Sequence, residues 1–252
     1  MAAQKVLSSP KRLVVLIPAY NEAGAVAGVI EEVRAAVPAA DVLVADDCSE
    51  DATVREARRA GARVLELPHH LGLGGCVQAG YRLAFELGFD YVIRVDGDGQ
   101  HDPADIPGML AVLEKEGCEM AIGSRLLGGS TLWSTATGSG PIRSLGILFF
   151  RAVLRPILGR PVTDPTSGFV GVNRTALEVF SRTFPLEYPE IEALVVLQRK
   201  RFRFVEVPCR MRPRRTGRSS ITAVKSLYYI AHVLLGVFVN ILRYPGGGRK
   251  KK

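Results

Sequence analysis

The feature that most constrains this chain is an alternation. Short apolar, β-branched runs give way to segments of helical spacing, and each run stops on a polar or acidic motif. Leu13–Ala19 leads through Asn21-Glu22 into a helical segment at Glu22–Val37. Asp41–Ala45 ends on Asp46-Asp47 ahead of Asp51–Ala60, and Arg63–Leu67 precedes Gly75–Leu87. Tyr91–Val95 closes on Asp96-Gly97-Asp98. Strands separated by helices require crossover connections, which predicts a mostly parallel α/β sheet covered by helices on both faces. Ligands of such sheets bind beyond the carboxyl ends of the strands. Asn21-Glu22, Asp46-Asp47 and Asp96 with Asp98 all fall there.

Beyond Pro103 the alternation loosens. Asp105–Lys115 reads as a helix, Met120–Ile122 as a strand entering Gly123-Ser124-Arg125, and the Gly-, Ser- and Thr-rich stretch 128–140 as a mobile loop. The boundaries that follow are a flexible start over 1–12, one domain over 13–220, an amphipathic segment over 221–243 and a basic tail over 244–252.

Asp96-Gly97-Asp98-Gly99-Gln100 carries the most chemistry. Two carboxylates one residue apart at a strand mouth can approach one hard cation, and Mg²⁺ or Mn²⁺ bind through few carboxylates plus substrate phosphates. The glycines permit a sharp turn and close approach of a phosphate, and Gln100 offers a further oxygen. The alternative is a solvated Asp-Gly turn. Tyr20 can lie against a base and Glu22 can accept from ribose hydroxyls, while Asn21 suits a helix N-cap. Asp46-Asp47 is open to two readings, a partner for a base N–H or a cap for the helix that follows.

Charge and cysteines limit the rest. The net charge of +8 gathers in 199–218 and in Arg249–Lys252, clusters that suit phosphate or a solvated face. Cys48, Cys76, Cys118 and Cys209 form no CxxC pair, which argues against zinc. The opening residues lack an apolar core for a secretory signal, so a reduced, cytoplasmic setting is expected. No GxGxxG follows the first strand, against a dinucleotide oxidoreductase. Phe202 and Phe204 alternate with the arginines as a strand would, and no nucleic-acid partner is expected.

Taken in order, Pro18–Glu22, Asp46–Asp51 and Asp96–Gln100 resemble the nucleotide-binding signatures of family 2 glycosyltransferases with the GT-A (Rossmann-like) fold. Gly123-Ser124-Arg125, Asp164–Phe169 and Arg214–Ser220 resemble the polyprenyl-phosphate branch, typified by dolichyl-phosphate mannose synthase. The similarity runs from about Leu13 to Leu242. It implies a metal-dependent, inverting transfer of a hexose, mannose or glucose first, from a nucleoside-diphosphate sugar (GDP-mannose or a UDP-sugar) to a polyprenyl phosphate. It also implies that Pro18, Tyr20, Glu22 and Asp46 or Asp47 surround the nucleoside. Asp96 and Gly97 would lie near ribose and diphosphate, and Asp98 with Gln100 on Mg²⁺ or Mn²⁺. Arg125 and Arg214 would face the diphosphate or acceptor phosphate, and Glu192 the acceptor side. Cys48 and His70 depart from the family pattern. Ser220 replaces a phosphate-binding Lys of some members, a role open to Arg218. Asp164 is a candidate for orienting the acceptor or acting as a weak base, with a turn or capping Asp as the alternative. Rival functions are transfer to a non-lipid glycan and non-enzymatic nucleotide or nucleic-acid binding.

The membrane enters through Ile221–Arg243. At about 100° per residue, Thr222, Lys225, Ser226, His232, Asn240 and Arg243 fall within an arc of roughly 120°. The rest of the circumference is apolar, as for a helix lying in a bilayer interface at the cytoplasmic face of a membrane. The same helix is a candidate contact for a small membrane-protein partner. Arg143–Leu158 is a second striped segment, readable as an interface helix or as cover for the core.

Overall fold

The computed structural model describes residues 11–127, 141–212, 233–239 and 242. Seven strands form one sheet: β1 (Leu13–Ala19), β2 (Asp41–Asp46), β3 (Arg63–Glu66), β4 (Tyr91–Arg94), β5 (Met120–Ser124), β6 (Val170–Asn173) and β7 (Phe204–Pro208). Their order is β3-β2-β1-β4-β6-β5-β7. β1 pairs parallel with β2 and β4, β2 with β3, and β5 with β7. β6 alone runs against its neighbours β4 and β5.

The helices are α1 (Val26–Ala36), α2 (Thr53–Arg59), α3 (Gly72–Glu86), α4 (Ile106–Lys115), α5 (Pro141–Leu158), α6 (Arg174–Arg182) and α7 (Pro189–Lys200). All seven residues of β1 are buried, as a two-side-covered strand requires. The side-chain alternation of period two splits it between two cores. Val14 and Leu16 join a core with residues of α3, α5, α6 and α7, while Leu13, Val15 and Ile17 join one with residues of α1, α2 and α4.

The predicted α/β architecture, mostly parallel, is the one observed. α1 starts later than its spacing suggested because Asn21 adopts φ 55° and the chain turns before the helix. β6, α6 and α7 are additions. Segment 143–158 lies within α5, whose Ile147, Phe150, Leu154 and Leu158 are buried in the core, so this stripe covers the sheet. Of the segment 221–243, residues 233–239 are helical: Val233 and Val237 face the core, while Leu235, Phe238 and Val239 are exposed. Apart from the exposed Leu242, the remainder, with the 128–140 loop and the basic tail, lies outside the described residues. Among those described, no helix is long and apolar enough to cross a membrane.

Candidate active site

The carboxyl ends of the six co-directional strands share one rim of the sheet. Because β6 runs the other way, its amino end lies on that rim too: Val170 stands beside both Arg94 of β4 and Ile122 of β5. The loop Asp164–Phe169 is thereby brought to the motifs that follow β1, β2, β4 and β5.

At the end of β1, Tyr20 is 44% exposed, its ring centroid 4.3 Å from that of His70. Asn21 accepts the Glu50 N–H (2.9 Å), and the Glu22 N–H donates to Thr53 Oγ1 (2.8 Å). The Glu22 carbonyl accepts from Ala25 and Val26, which sets the Glu22 side chain at the head of α1. At the end of β2 the two aspartates divide. Asp47 Oδ1 accepts the Leu71 N–H (2.7 Å) before α3, and Oδ2 lies 2.9 Å from His70 Nδ1. Its oxygens are thus engaged by the entry to α3, a different helix from the one that follows the pair in sequence, so Asp47 does not cap α2. Asp46 Oδ2 accepts the Ser49 N–H (3.0 Å), while its buried Oδ1 has no hydrogen-bond partner. A buried acceptor in that condition is rare in a native protein and marks a place where a donor is wanted.

After β4, Asp98 Oδ1 accepts the Gln100 N–H (3.0 Å) and Gly99 sits at φ 75°, closing a tight loop. The Gln100 carbonyl accepts the Arg212 N–H (2.8 Å), so the segment after β7 passes directly beside this loop. Arg212 in turn binds Asp102 (2.7 Å) and Glu32 (2.5 Å). The Asp96 N–H donates to Nδ1 of His101 (3.1 Å), which places the His101 proton on Nε2, 3.7 Å from Asp96 Oδ2. His101 is buried and stacked on Phe169 at 5.1 Å. Burial pushes its pKa below the usual histidine value, in keeping with a neutral ring that accepts at Nδ1.

The Asp96 side chain is 35% exposed. Two glycines let backbone pack closely here, Gly97 against the end of β1 and Gly168 against Asp96. A Cβ on Gly97 would stand 3.1 Å from the Pro18 carbonyl, and one on Gly168 would stand 3.0 and 3.3 Å from the two Asp96 carboxylate oxygens. Two carboxylates one residue apart on a tight loop at the strand mouth fit a cation completed by substrate phosphates. Among the described residues no cluster of three or more His, Cys, Asp or Glu side chains exists, so a cage made wholly of protein is not the arrangement here.

Arg125 and Asp164 were expected to act on phosphates and on the acceptor. The structure pairs them with each other. Arg125 Nε and Nη2 donate to the two Asp164 oxygens at 2.6 Å each, and Nη2 also reaches Thr166 Oγ1 (3.0 Å). Both residues are buried, Asp164 completely. Burial opposes the Arg125 charge, but its hydrogen bonds and charge contact with Asp164 more than offset this and raise its pKa. Glu206 of β7 holds the turn by accepting the N–H groups of Thr163 (2.8 Å) and Asp164 (2.9 Å). A carboxylate so enclosed holds Arg125 and the loop in place, which is the turn alternative for Asp164. Glu192 is buried on α7 beside residue 236, whose Cβ, were Gly236 replaced, would stand 2.7 Å from Glu192 Oε1. Arg214, Arg218 and Ser220 lie outside the described residues.

Sequence reasoning missed Arg94, Glu190 and His101 as neighbours of this loop. For Arg94 a signal existed: a lone charge interrupting the apolar run Tyr91–Val95.

Comparison with known proteins now bears on this geometry. The sequence profile of Glycosyl transferase family 2 matches residues 14–180. An undecaprenyl-phosphate mannosyltransferase of Micrococcus luteus is 34% identical over 163 residues, covering 63% of this chain and 65% of that protein. A polyprenol monophosphomannose synthase of Mycolicibacterium smegmatis is 29% identical over 175 residues, 67% of this chain and 64% of that one. In both cases the chain spans just under two thirds of the relative's length. A UDP-N-acetylglucosamine–dolichyl-phosphate N-acetylglucosaminyltransferase of Methanococcus voltae is 26% identical over 217 residues, 79% of this chain and 84% of that one. Among solved structures, glucosyl-3-phosphoglycerate synthase of Mycobacterium tuberculosis with phosphoglyceric acid superposes with a TM-score of 0.70 at 23% identity, covering 91% of this chain and 80% of that one. The same enzyme with Mn²⁺, UDP and glucosyl-3-phosphoglycerate gives 0.66. At that identity the likeness establishes the GT-A fold.

Proposed function

The chain belongs to Glycosyl transferase family 2, and we propose that it transfers a hexose from a nucleoside-diphosphate sugar to a polyprenyl phosphate at a membrane surface, with inversion. One observation carries the reading: Asp96, Asp98, Tyr20 and the unpartnered Asp46 oxygen all lie at the ends of β1, β2 and β4 on one rim of the sheet. The names of the bacterial and archaeal relatives, with their polyprenyl-phosphate acceptors, support the substrate class.

In this reading Tyr20 lies against the base, Asp46 Oδ1 takes a nucleoside N–H or hydroxyl, and Glu22 and Pro18 line the same pocket. Asp98, Asp96 and Gln100 would hold Mg²⁺ or Mn²⁺, which when bound neutralises the leaving diphosphate. The acceptor phosphate oxygen displaces the nucleoside diphosphate at the anomeric carbon. That phosphate is already ionised near neutrality, its second pKa lying at about 6, so it needs orientation and no strong base. Arg214 and Arg218 are the candidates for that orientation. GDP-mannose is the first donor to try. The exposed Leu235, Phe238 and Val239 provide the apolar face that would lie on the bilayer, at its cytoplasmic side.

The test is a screen of nucleotide-sugars with Mg²⁺ or Mn²⁺ and a polyprenyl phosphate, followed by mass measurement of the organic-extractable product. Asp98→Ala should abolish transfer with the fold retained; full activity of that variant with metal chelated would refute the mechanism. Product that stays in the aqueous phase on a glycan would instead favour a non-lipid acceptor.

A further inference from the structure

Arg94 closes β4 inside the sheet with only 1% of its surface exposed, the largest of the fully buried side chains. A guanidinium in that position is strongly destabilising unless every direction of its fork is met. Here the fork meets two segments distant in sequence and the mouth of its own strand. Nε donates to the Gly168 carbonyl (2.7 Å) in the loop entering β6. Nη2 donates to Glu190 Oε1 (2.6 Å) in the first turn of α7. Nε lies 3.8 Å from Asp96 Oδ1 at the mouth of its own strand. Gly168 is pressed onto both partners, since a Cβ there would stand 2.5 Å from Arg94 Nη2 and 3.0 Å from Asp96 Oδ2. Burial opposes the Arg94 charge, and the facing charges of Glu190 and Asp96 outweigh it.

Stability alone does not account for such a pair, because well-packed apolar residues usually replace a buried ion pair without loss. Its geometry does something apolar residues cannot. A planar fork fixes two acceptors at set directions, which a lysine ammonium would not.

We propose that Arg94, together with Glu190, is a positioning residue for the Asp96-Gly97-Asp98 loop. It sets where the Asp96 carboxylate and the Gly168 backbone stand relative to α7, so that binding of a divalent cation with a nucleoside diphosphate depends on a group that touches neither. The inference rests on the reading of this loop as the cation site.

The test uses the full chain and Mn²⁺ with GDP or UDP, followed by electron paramagnetic resonance. The double variant Arg94→Met/Glu190→Leu removes one charge of each sign. Its melting temperature should stay close to that of the unsubstituted protein while Mn²⁺–nucleotide affinity falls by about 10- to 100-fold, the range typical for lost outer partners of metal ligands. Arg94→Lys, which keeps the charge and serves one acceptor, should fall between. Unchanged Mn²⁺ affinity in the folded double variant, or in Arg94→Lys should the double variant not fold, overturns the proposal. Asp98→Ala separates the two levels. Loss of Mn²⁺ there with none in the Arg94 variants sinks only the positioning role. Absence of Mn²⁺ binding by the unsubstituted protein, or equal binding by Asp98→Ala, sinks the cation site and the positioning role with it.

Discussion

Asp164→Asn separates a buried structural carboxylate from a catalytic one. The substitution keeps the side chain's shape, removes its charge, and turns one oxygen that accepts from Arg125 at 2.6 Å into an amide that cannot accept. Arg125, itself buried, then keeps its charge with half its partner. Removing one member of a buried pair costs about 3–5 kcal/mol. For a chain of this size each kcal/mol moves the melting temperature by about 2–4 °C, so a fall of roughly 6–20 °C is expected. Scanning calorimetry reads the loss directly, and turnover against pH reads the mechanism. If Asp164 holds Arg125 and the loop, turnover falls together with stability, and the shape of the pH profile is kept. The apolar pair Arg125→Met/Asp164→Leu should then regain most of the stability, because no charge is left stranded. A variant Asp164→Asn that melts with the unsubstituted protein, yet loses turnover along with the acid limb of its pH profile, would refute this reasoning and make Asp164 a base.

Asp46→Asn should keep the Ser49 contact but convert an acceptor, raising the nucleotide Kd about tenfold, a change of about 1.4 kcal/mol; equal Kd values by calorimetry would remove Asp46 from the nucleoside site. Gly168→Ala should lower turnover by about 100-fold, the order found when reacting groups shift by about 1 Å, because its Cβ would collide with Arg94 and crowd Asp96; near-normal turnover would show that this contact can yield without moving Asp96. Asp51 accepts from the N–H groups of Thr53 (2.9 Å) and Ala23 (3.1 Å), and these bonds, with that from the Thr53 hydroxyl, outweigh partial burial and lower its pKa. A lowered carboxylate pKa gives stability that is present above the unfolded value of about 3.9 and lost as pH falls through the folded value. Asp51→Asn should therefore melt lower at neutral pH and match the unsubstituted protein once the pH is below that folded value; a stability gap that persists in acid would assign the loss to packing.

Much of the donor half of this fold was legible. Leu13–Ala19 is β1 to the residue, and the strands at Asp41, Arg63 and Tyr91 begin where the apolar runs begin. Parallel strands buried on both faces leave continuous apolar runs, and their crossover helices leave stripes. Beyond α5 both signals fade. β6 has four residues including Gly171, too few for a period to emerge. α7 is buried continuously from Ile191 to Leu197, so no polar face marks its helical turn. The site divides the same way. Asp96 and Asp98 stand out because they follow a buried strand. The Arg125–Asp164 pair spans 39 residues that include helix α5, and nothing local announces it.

The rim carries more acids than the proposed chemistry needs, and hydrogen bonding sorts them. Asp47 has its oxygens on Leu71 and His70, Asp51 on Thr53 and Ala23, and Asp102 on Ala104 with two arginines. Asp164 has both on Arg125. These four spend their charge on backbone N–H groups and fixed cations, and so stiffen the turns between strand and helix. Asp46 retains an oxygen with no donor, and Asp96 keeps a third of its side chain exposed at the rim. A sequence motif marks all of these acids alike; only the placement of their donors distinguishes scaffold from site. That difference is why Asp46, and not Asp47, is the member of its pair to test against a nucleotide.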